Sequence, residues 1–123
     1  MDKDYKKTLV FGASTKPERY SYKAVKMLQE YDHPVAAIGG REGALDEVSI
    51  LTGHPELEDI HTVTMYMSAA RQQEHEDYIL SLAPRRIIFN PGAENTSLYS
   101  NAKAAGIEVV NACTLVMLRT GQF

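Results

Sequence analysis

The stretch Thr8-Leu9-Val10-Phe11-Gly12-Ala13-Ser14 constrains the fold of this chain more than any other. An apolar, β-type run ends in a glycine, a small residue and a hydroxyl. A polar loop from Thr15 to Ser21 follows, and then a helical pattern begins. Strand, tight turn and helix entry in that order form the first half of a βαβ unit. Gly12 lets the backbone turn sharply and lets an anionic group approach closely. Free N–H groups and the positive end of the next helix favour negative charge there. The fingerprint G-x-G-x-x-G is absent, because Ser14 and Pro17 stand where its later glycines belong. The loop therefore points to a nucleotide-like ligand more securely than to a dinucleotide.

Strand and helix signals alternate along the rest of the chain. Tyr22 to Tyr31 reads as an amphipathic helix with Ala24, Val25, Leu28 and Tyr31 near one face, and Ser21 as its N-cap. Val35-Ala36-Ala37-Ile38 is a second strand ending at Gly39-Gly40. The stretch from Arg41 to Ile60 is polar; Val48 to Leu51 reads as a short extended piece and Pro55 to Ile60 as one helical turn. Thr62 to Met67 is a third strand, and Ser68 can cap a helix from Ala69 to Leu82 that stops near Pro84. Arg86 to Phe89 is a fourth strand, ending in Asn90-Pro91-Gly92. Asn95 or Thr96 starts a helix through Ala105, with Gly106 just past its end, and Ile107 to Val110 is a fifth strand. Thr114 to Leu118 reads as a last short turn. This alternation predicts a three-layer α/β domain whose five-stranded parallel sheet has the order 3-2-1-4-5. Residues 1–123 form a single domain in this reading.

Ligands of such sheets bind at the carboxyl ends of the strands. Gly12-Ala13-Ser14, Gly39-Gly40-Arg41, Met67-Ser68, Asn90-Pro91-Gly92 and Asn111-Ala112-Cys113 are expected at that edge. The tip of the second strand separates ligand classes. A site for NAD ordinarily places Asp or Glu there, whereas this chain has Gly39-Gly40-Arg41-Glu42. An arginine suits a phosphate on the ribose, either the 2′-phosphate of NADP or the 3′-phosphate of coenzyme A. It is equally consistent with a solvated loop residue. Lys16, Arg19, Tyr20 and Ser21 are placed to clamp a diphosphate, or form an ordinary polar loop. Ser14 either donates to phosphate or caps the turn.

Catalytic patterns are poor. His33, His54, His61 and His75 are scattered and show no metal-ligand spacing, and the lone Cys113 adds no zinc pattern. Cys113 reads as a buried structural thiol or a ligand-facing one. Glu94 is the only carboxylate near the expected crevice, and one carboxylate is weak support for acid–base chemistry. The net charge of −3 gives no basic footprint for nucleic acid, and no apolar stretch approaches the ~20 residues of a membrane span. A charged N-terminus without an apolar signal core, and one cysteine, predict a cytoplasmic location. Monomer and homo-oligomer both remain open.

Taken together, these segments resemble a known family. Val10-Phe11-Gly12-Ala13-Ser14, the loop Lys16 to Tyr22, the Arg41 loop, Phe89-Asn90-Pro91-Gly92 with Glu94-Asn95, and Val109 to Cys113 stand in the order and spacing of the small single-domain CoA-binding proteins. That family is similar to the CoA-binding domain of succinyl-CoA synthetase alpha subunits. The resemblance runs from Thr8 to about Leu118. It implies a Rossmann-like fold with CoA or an acyl-CoA bound at the strand tips. Gly12, Ala13 and Ser14 match its first phosphate-facing turn, Arg19, Tyr20 and Ser21 the next loop, and Gly40-Arg41 the adenosine side. Gly39-Gly40, Met67-Ser68 and Phe89-Asn90-Pro91 depart from the family pattern. The expected function is non-catalytic binding of CoA or acyl-CoA. The alternatives are a minimal NADP-dependent reductase and a regulatory subunit that has lost the ligand.

Overall fold

Strand β1 (Thr8–Ala13) is central because every residue of its apolar run can be buried on one face or the other. Leu9 and Phe11 point to one side of the sheet and Val10 to the other, the period-2 alternation of a strand covered on both faces. The computed structural model describes residues 5–123. Its sheet continues with β2 (Val35–Gly39), β3 (Gly43–Leu45), β4 (Val48–Leu51), β5 (Thr62–Met65), β6 (Arg86–Phe89) and β7 (Glu108–Asn111). The spatial order is β3-β4-β2-β1-β5-β6-β7.

This corrects the expected five-stranded parallel sheet in two ways. The sheet has seven strands and is mixed, since β3 pairs antiparallel with β4. The strand expected third, Thr62–Met65, lies between β1 and β6 and not at the far side of β2. The place beyond β2 belongs to Val48–Leu51, which pairs parallel with it. The reason is the connection. After Gly39 the chain makes a hairpin instead of a helix, with Leu45 opposite Val48 and Asp46 at a positive φ of 54° in the turn. Lys26, from the helix that precedes β2, holds the Asp46 carboxylate. Counting only the parallel strands, the order is third, second, first, fourth, fifth, sixth, the doubly wound arrangement with its switch point between β1 and β5.

Helices α1 (Tyr20–Glu30) and α5 (Thr114–Arg119) cover one face, where Val25, Leu28 and Leu118 pack on Val10, Ala37 and Ile50. Helices α3 (Glu76–Ser81) and α4 (Thr96–Ala104) cover the other, where Ile79, Leu98 and Ala102 pack on Leu9, Phe11, Val63 and Phe89. The expected helix from Ala69 to Leu82 is interrupted: α2 (Ala69–Gln72) is followed by a 3-10 turn over Gln73–His75 before α3 begins. Residues 55–60 form no helical turn. Helix α1 starts at Tyr20, so Arg19 occupies the cap position expected for Ser21. Asn95 caps α4 as expected, its Oδ1 accepting from the Leu98 N–H at 3.1 Å.

Candidate functional site

The β1 tip is built around two glycines. Thr8 to Phe11 pair in step with Val35 to Ile38, but Gly39 then pairs with Ala13, leaving Gly12 as one extra residue on β1. Gly12 makes that bulge at φ +101°, and a Cβ there would meet the Tyr66 backbone at 3.1 Å. The bulge drives the Ala13 carbonyl over Gly39, so that a Cβ on Gly39 would lie 2.3 Å from its oxygen. Two glycines on neighbouring strands therefore hold one turn, and that turn opens onto a cleft.

The cleft has a volume of about 670 Å³ and lies over the switch point. Gly12, Ala13, Ser14, Lys16, Arg19, Tyr20, Ser21, Gly40, Arg41, Met67 and Pro91 line it, eleven of the fourteen residues singled out from the sequence. Gly39 lies beneath it and opens instead onto an adjoining cavity of about 430 Å³. Asn90 and Gly92 are outside the lining. Asn90 is buried and spent on the framework: its Nδ2 donates to Thr64 Oγ1 (2.7 Å) and the Met65 carbonyl (2.9 Å), and its Oδ1 accepts from the Thr114 N–H (2.8 Å). The Gly92 N–H donates to Glu94 at 2.9 Å, which turns that carboxylate back on its own loop.

Thr15, Glu18, Glu42, Tyr66 and Arg71 also line the cleft, though none was among the binding residues expected from the sequence. Arg71 follows the third main strand by six residues on a short helix, so only the turn at Ser68 could have suggested that it folds back over the edge. Tyr66 directly follows β5 and was read as part of the strand. Its hydroxyl is buried without a hydrogen-bond partner among the described residues, close to the Thr64 and Thr114 hydroxyls, which bond each other at 2.7 Å. Burial pushes its pKa up to about 12, so it stays a neutral phenol.

The charges favour an anion. Lys16, Arg19, Arg41 and Arg71 outnumber Glu18 and Glu42, and among the described residues none of the six forms an ion pair. No side chain caps the start of α1 and no acid occupies its first turn, so its positive end faces the cleft unneutralised. Ser14 Oγ accepts from the Lys16 N–H at 3.1 Å, which shapes the turn and leaves its O–H to donate outward. Tyr20, 67 % exposed at the rim, has Lys23 over its ring at 5.1 Å.

Two of the scattered histidines meet. His54 Nε2 and His75 Nδ1 are 2.8 Å apart, and His54 stacks on Tyr78. His75 lines the adjoining cavity with Phe11, Ile38 and Thr52. No group of three metal-ligating side chains occurs among the described residues. Cys113 is half-buried just before α5, and its thiol makes no hydrogen bond among the described residues. No helix among those residues is long and apolar enough to cross a membrane.

The family model of the CoA binding domain matches residues 6–119. The crystal structure of an uncharacterized protein is 40% identical, with a TM-score of 0.95, covering 98% of this chain and 100% of that one. A Thermus thermophilus protein, cell-free ID.343, is 21% identical with a TM-score of 0.82 over 97% of this chain and 91% of that chain. A hypothetical protein from Pyrococcus horikoshii OT3 is 20% identical with a TM-score of 0.85 over 95% of this chain and 84% of that one. The last two share the fold. No curated protein matches the sequence.

Proposed function

The chain belongs to the CoA-binding domain family, and on that premise we propose that it binds coenzyme A or an acyl-CoA in the cleft over the β1–β5 boundary, without transforming it. The observation that carries this reading is the cleft itself. A glycine-hinged turn, an uncapped helix start and four cations without ion-pair partners among the described residues converge on one space of about 670 Å³. The Gly12-Ala13-Ser14 turn and the start of α1 suit a diphosphate. Arg41, beyond β2, suits the ribose phosphate. The volume is within the ~300–1,000 Å³ usual for small-molecule sites. Binding without chemistry is favoured because the Glu94 carboxylate is folded onto its own loop and, among the described residues, no base is bonded to the Cys113 thiol.

The test is calorimetric titration with CoA, dephospho-CoA, NADPH and NAD, backed by melting curves. CoA at 100 times its dissociation constant should add about 2.7 kcal/mol of stability. Arg41→Ala should weaken CoA by roughly ten- to a hundredfold and leave dephospho-CoA nearly unchanged, because only CoA carries the ribose phosphate. Tighter binding of NADPH than of CoA would favour the reductase instead. Binding of none of the four would favour a regulatory subunit.

A further inference from the structure

Arg71 differs from the other cations of the cleft. Lys16 and Arg19 come from the loop after β1 and Arg41 from the loop after β2, whereas Arg71 comes from α2, beyond β5, across the switch point. It lines both the cleft and the adjoining cavity; Gly40 and Met67 are the other residues common to the two, so Arg71 carries the charge at their junction.

Its backbone is fixed while its head is uncommitted. The Arg71 N–H donates to the Ser68 carbonyl at 3.0 Å. The next residue, Gln72, is fully buried; its Nε2 donates to the carbonyls of Met67 and Ala93 at 2.7 Å each, and its Oε1 accepts from Asn95 at 2.8 Å. The start of α2 is thereby bolted to the loops after β5 and β6. The nearby Glu74 faces His75 at 4.0 Å. The Arg71 side chain is exposed and makes no hydrogen bond or ion pair among the described residues. A cation on a fixed base orders little additional chain when it engages a ligand.

Building on the coenzyme A reading above, we infer that Arg71 is a ligand-binding residue that closes on the diphosphate from the wall opposite Lys16 and Arg19. The placement decides which phosphate it takes. Gly12 abuts the Tyr66 backbone, so the diphosphate turn and the chain leading to α2 are adjacent. Arg41 lies on the other side of β1, beyond β2. A guanidinium can hold both non-bridging oxygens of a phosphate at once.

The test compares wild type, Arg71→Ala, Arg71→Lys and Arg41→Ala, each titrated with CoA and with dephospho-CoA. Both ligands carry the diphosphate, so Arg71→Ala should weaken both by a similar factor, roughly tenfold or more, with an unchanged melting temperature for the free protein. Arg71→Lys should recover part of the loss. Wild-type affinity of Arg71→Ala for both ligands would overturn the inference while leaving the coenzyme A reading intact. A loss confined to CoA would also overturn it, by placing Arg71 on the ribose phosphate. Failure of the wild type to bind either nucleotide would instead remove the coenzyme A reading on which the inference rests.

Discussion

Replacing Gly39 by alanine tests whether the β1 bulge is held by steric necessity. The backbone φ at Gly39 is not positive, so the substitution carries no left-handed strain and the whole effect is one of space. Its new Cβ would sit 2.3 Å from the Ala13 oxygen, 3.0 Å from Ile50 Cγ2 and 3.2 Å from the Ala13 carbonyl carbon. The closest obstacle is backbone and cannot rotate away. The Ala13 carbonyl must rise until the contact reaches at least 3.0 Å, or β1 and β2 must part. Overpacking of this kind costs about 1–3 kcal/mol, and a backbone obstacle puts Gly39→Ala near the upper end. Against a total stability of about 5–15 kcal/mol that is a large fraction. For a chain of this size it corresponds to a fall in melting temperature of roughly 6–15 °C. Gly40→Ala is the control, because nothing lies within 4 Å of its added Cβ. It should shift stability by no more than about 0.5 kcal/mol. Thermal and urea melts of both variants decide the matter. If Gly39→Ala melts with the wild type, or Gly40→Ala falls as far, the bulge argument is wrong.

Two further outcomes follow from the same structure. Burial, helped by neighbouring cations, holds three histidines below their usual 6.5: His33 beside Lys6 and Arg86, His61 beside Arg86 and Lys6, and His75 beside Arg71. Their unfolded forms take up protons first, so stability should decline as pH falls from 7.5 through 6.5, and a urea midpoint that rises over that range would refute this. Cys113 should form no adduct: incubation with an acyl-CoA is expected to leave the mass of the protein and of Cys113→Ser unchanged, and an acyl shift lost in the variant would make the chain an acyl-transfer protein.

What the sequence made legible follows from continuous apolar runs. Leu9-Val10-Phe11 and Ile87 to Phe89 are buried on both faces, and such strands announce themselves without tertiary information. Val48-Ser49-Ile50-Leu51 is legible as a short extended piece, and it is a strand, but its place beside β2 was not legible, because it alternates buried and exposed and reaches only four residues. Its hairpin partner Gly43-Ala44-Leu45 is shorter still, so the strand order was missed at that edge. The break in the helix after Ala69 has a similar cause. Gln72 is drawn inward by two carbonyls and by Asn95, a set of bonds that exists only after the loops converge.

The same logic explains why some residues at the strand tips are ligand candidates and others are not. Parallel strands that end together leave carbonyls that need partners where water is excluded. Asn90 answers that need at β5 and β6, and Gln72 answers it for the loops beyond them. Both were drawn into the framework because their amides donate twice and accept as well, which suits them to bridging. Lysine and arginine side chains only donate, and their length carries them past the rim, so Lys16, Arg19, Arg41 and Arg71 remain available to an anion. A polar residue at a strand tip thus divides by chemistry: amides close the edge, and cations stay open over it. On this argument Asn90→Asp should damage folding before it damages binding, because a carboxylate cannot donate to Thr64 Oγ1 and the Met65 carbonyl. The cations fail in the reverse order: removing Arg41 or Arg71 should weaken ligand binding while the free protein melts with the wild type.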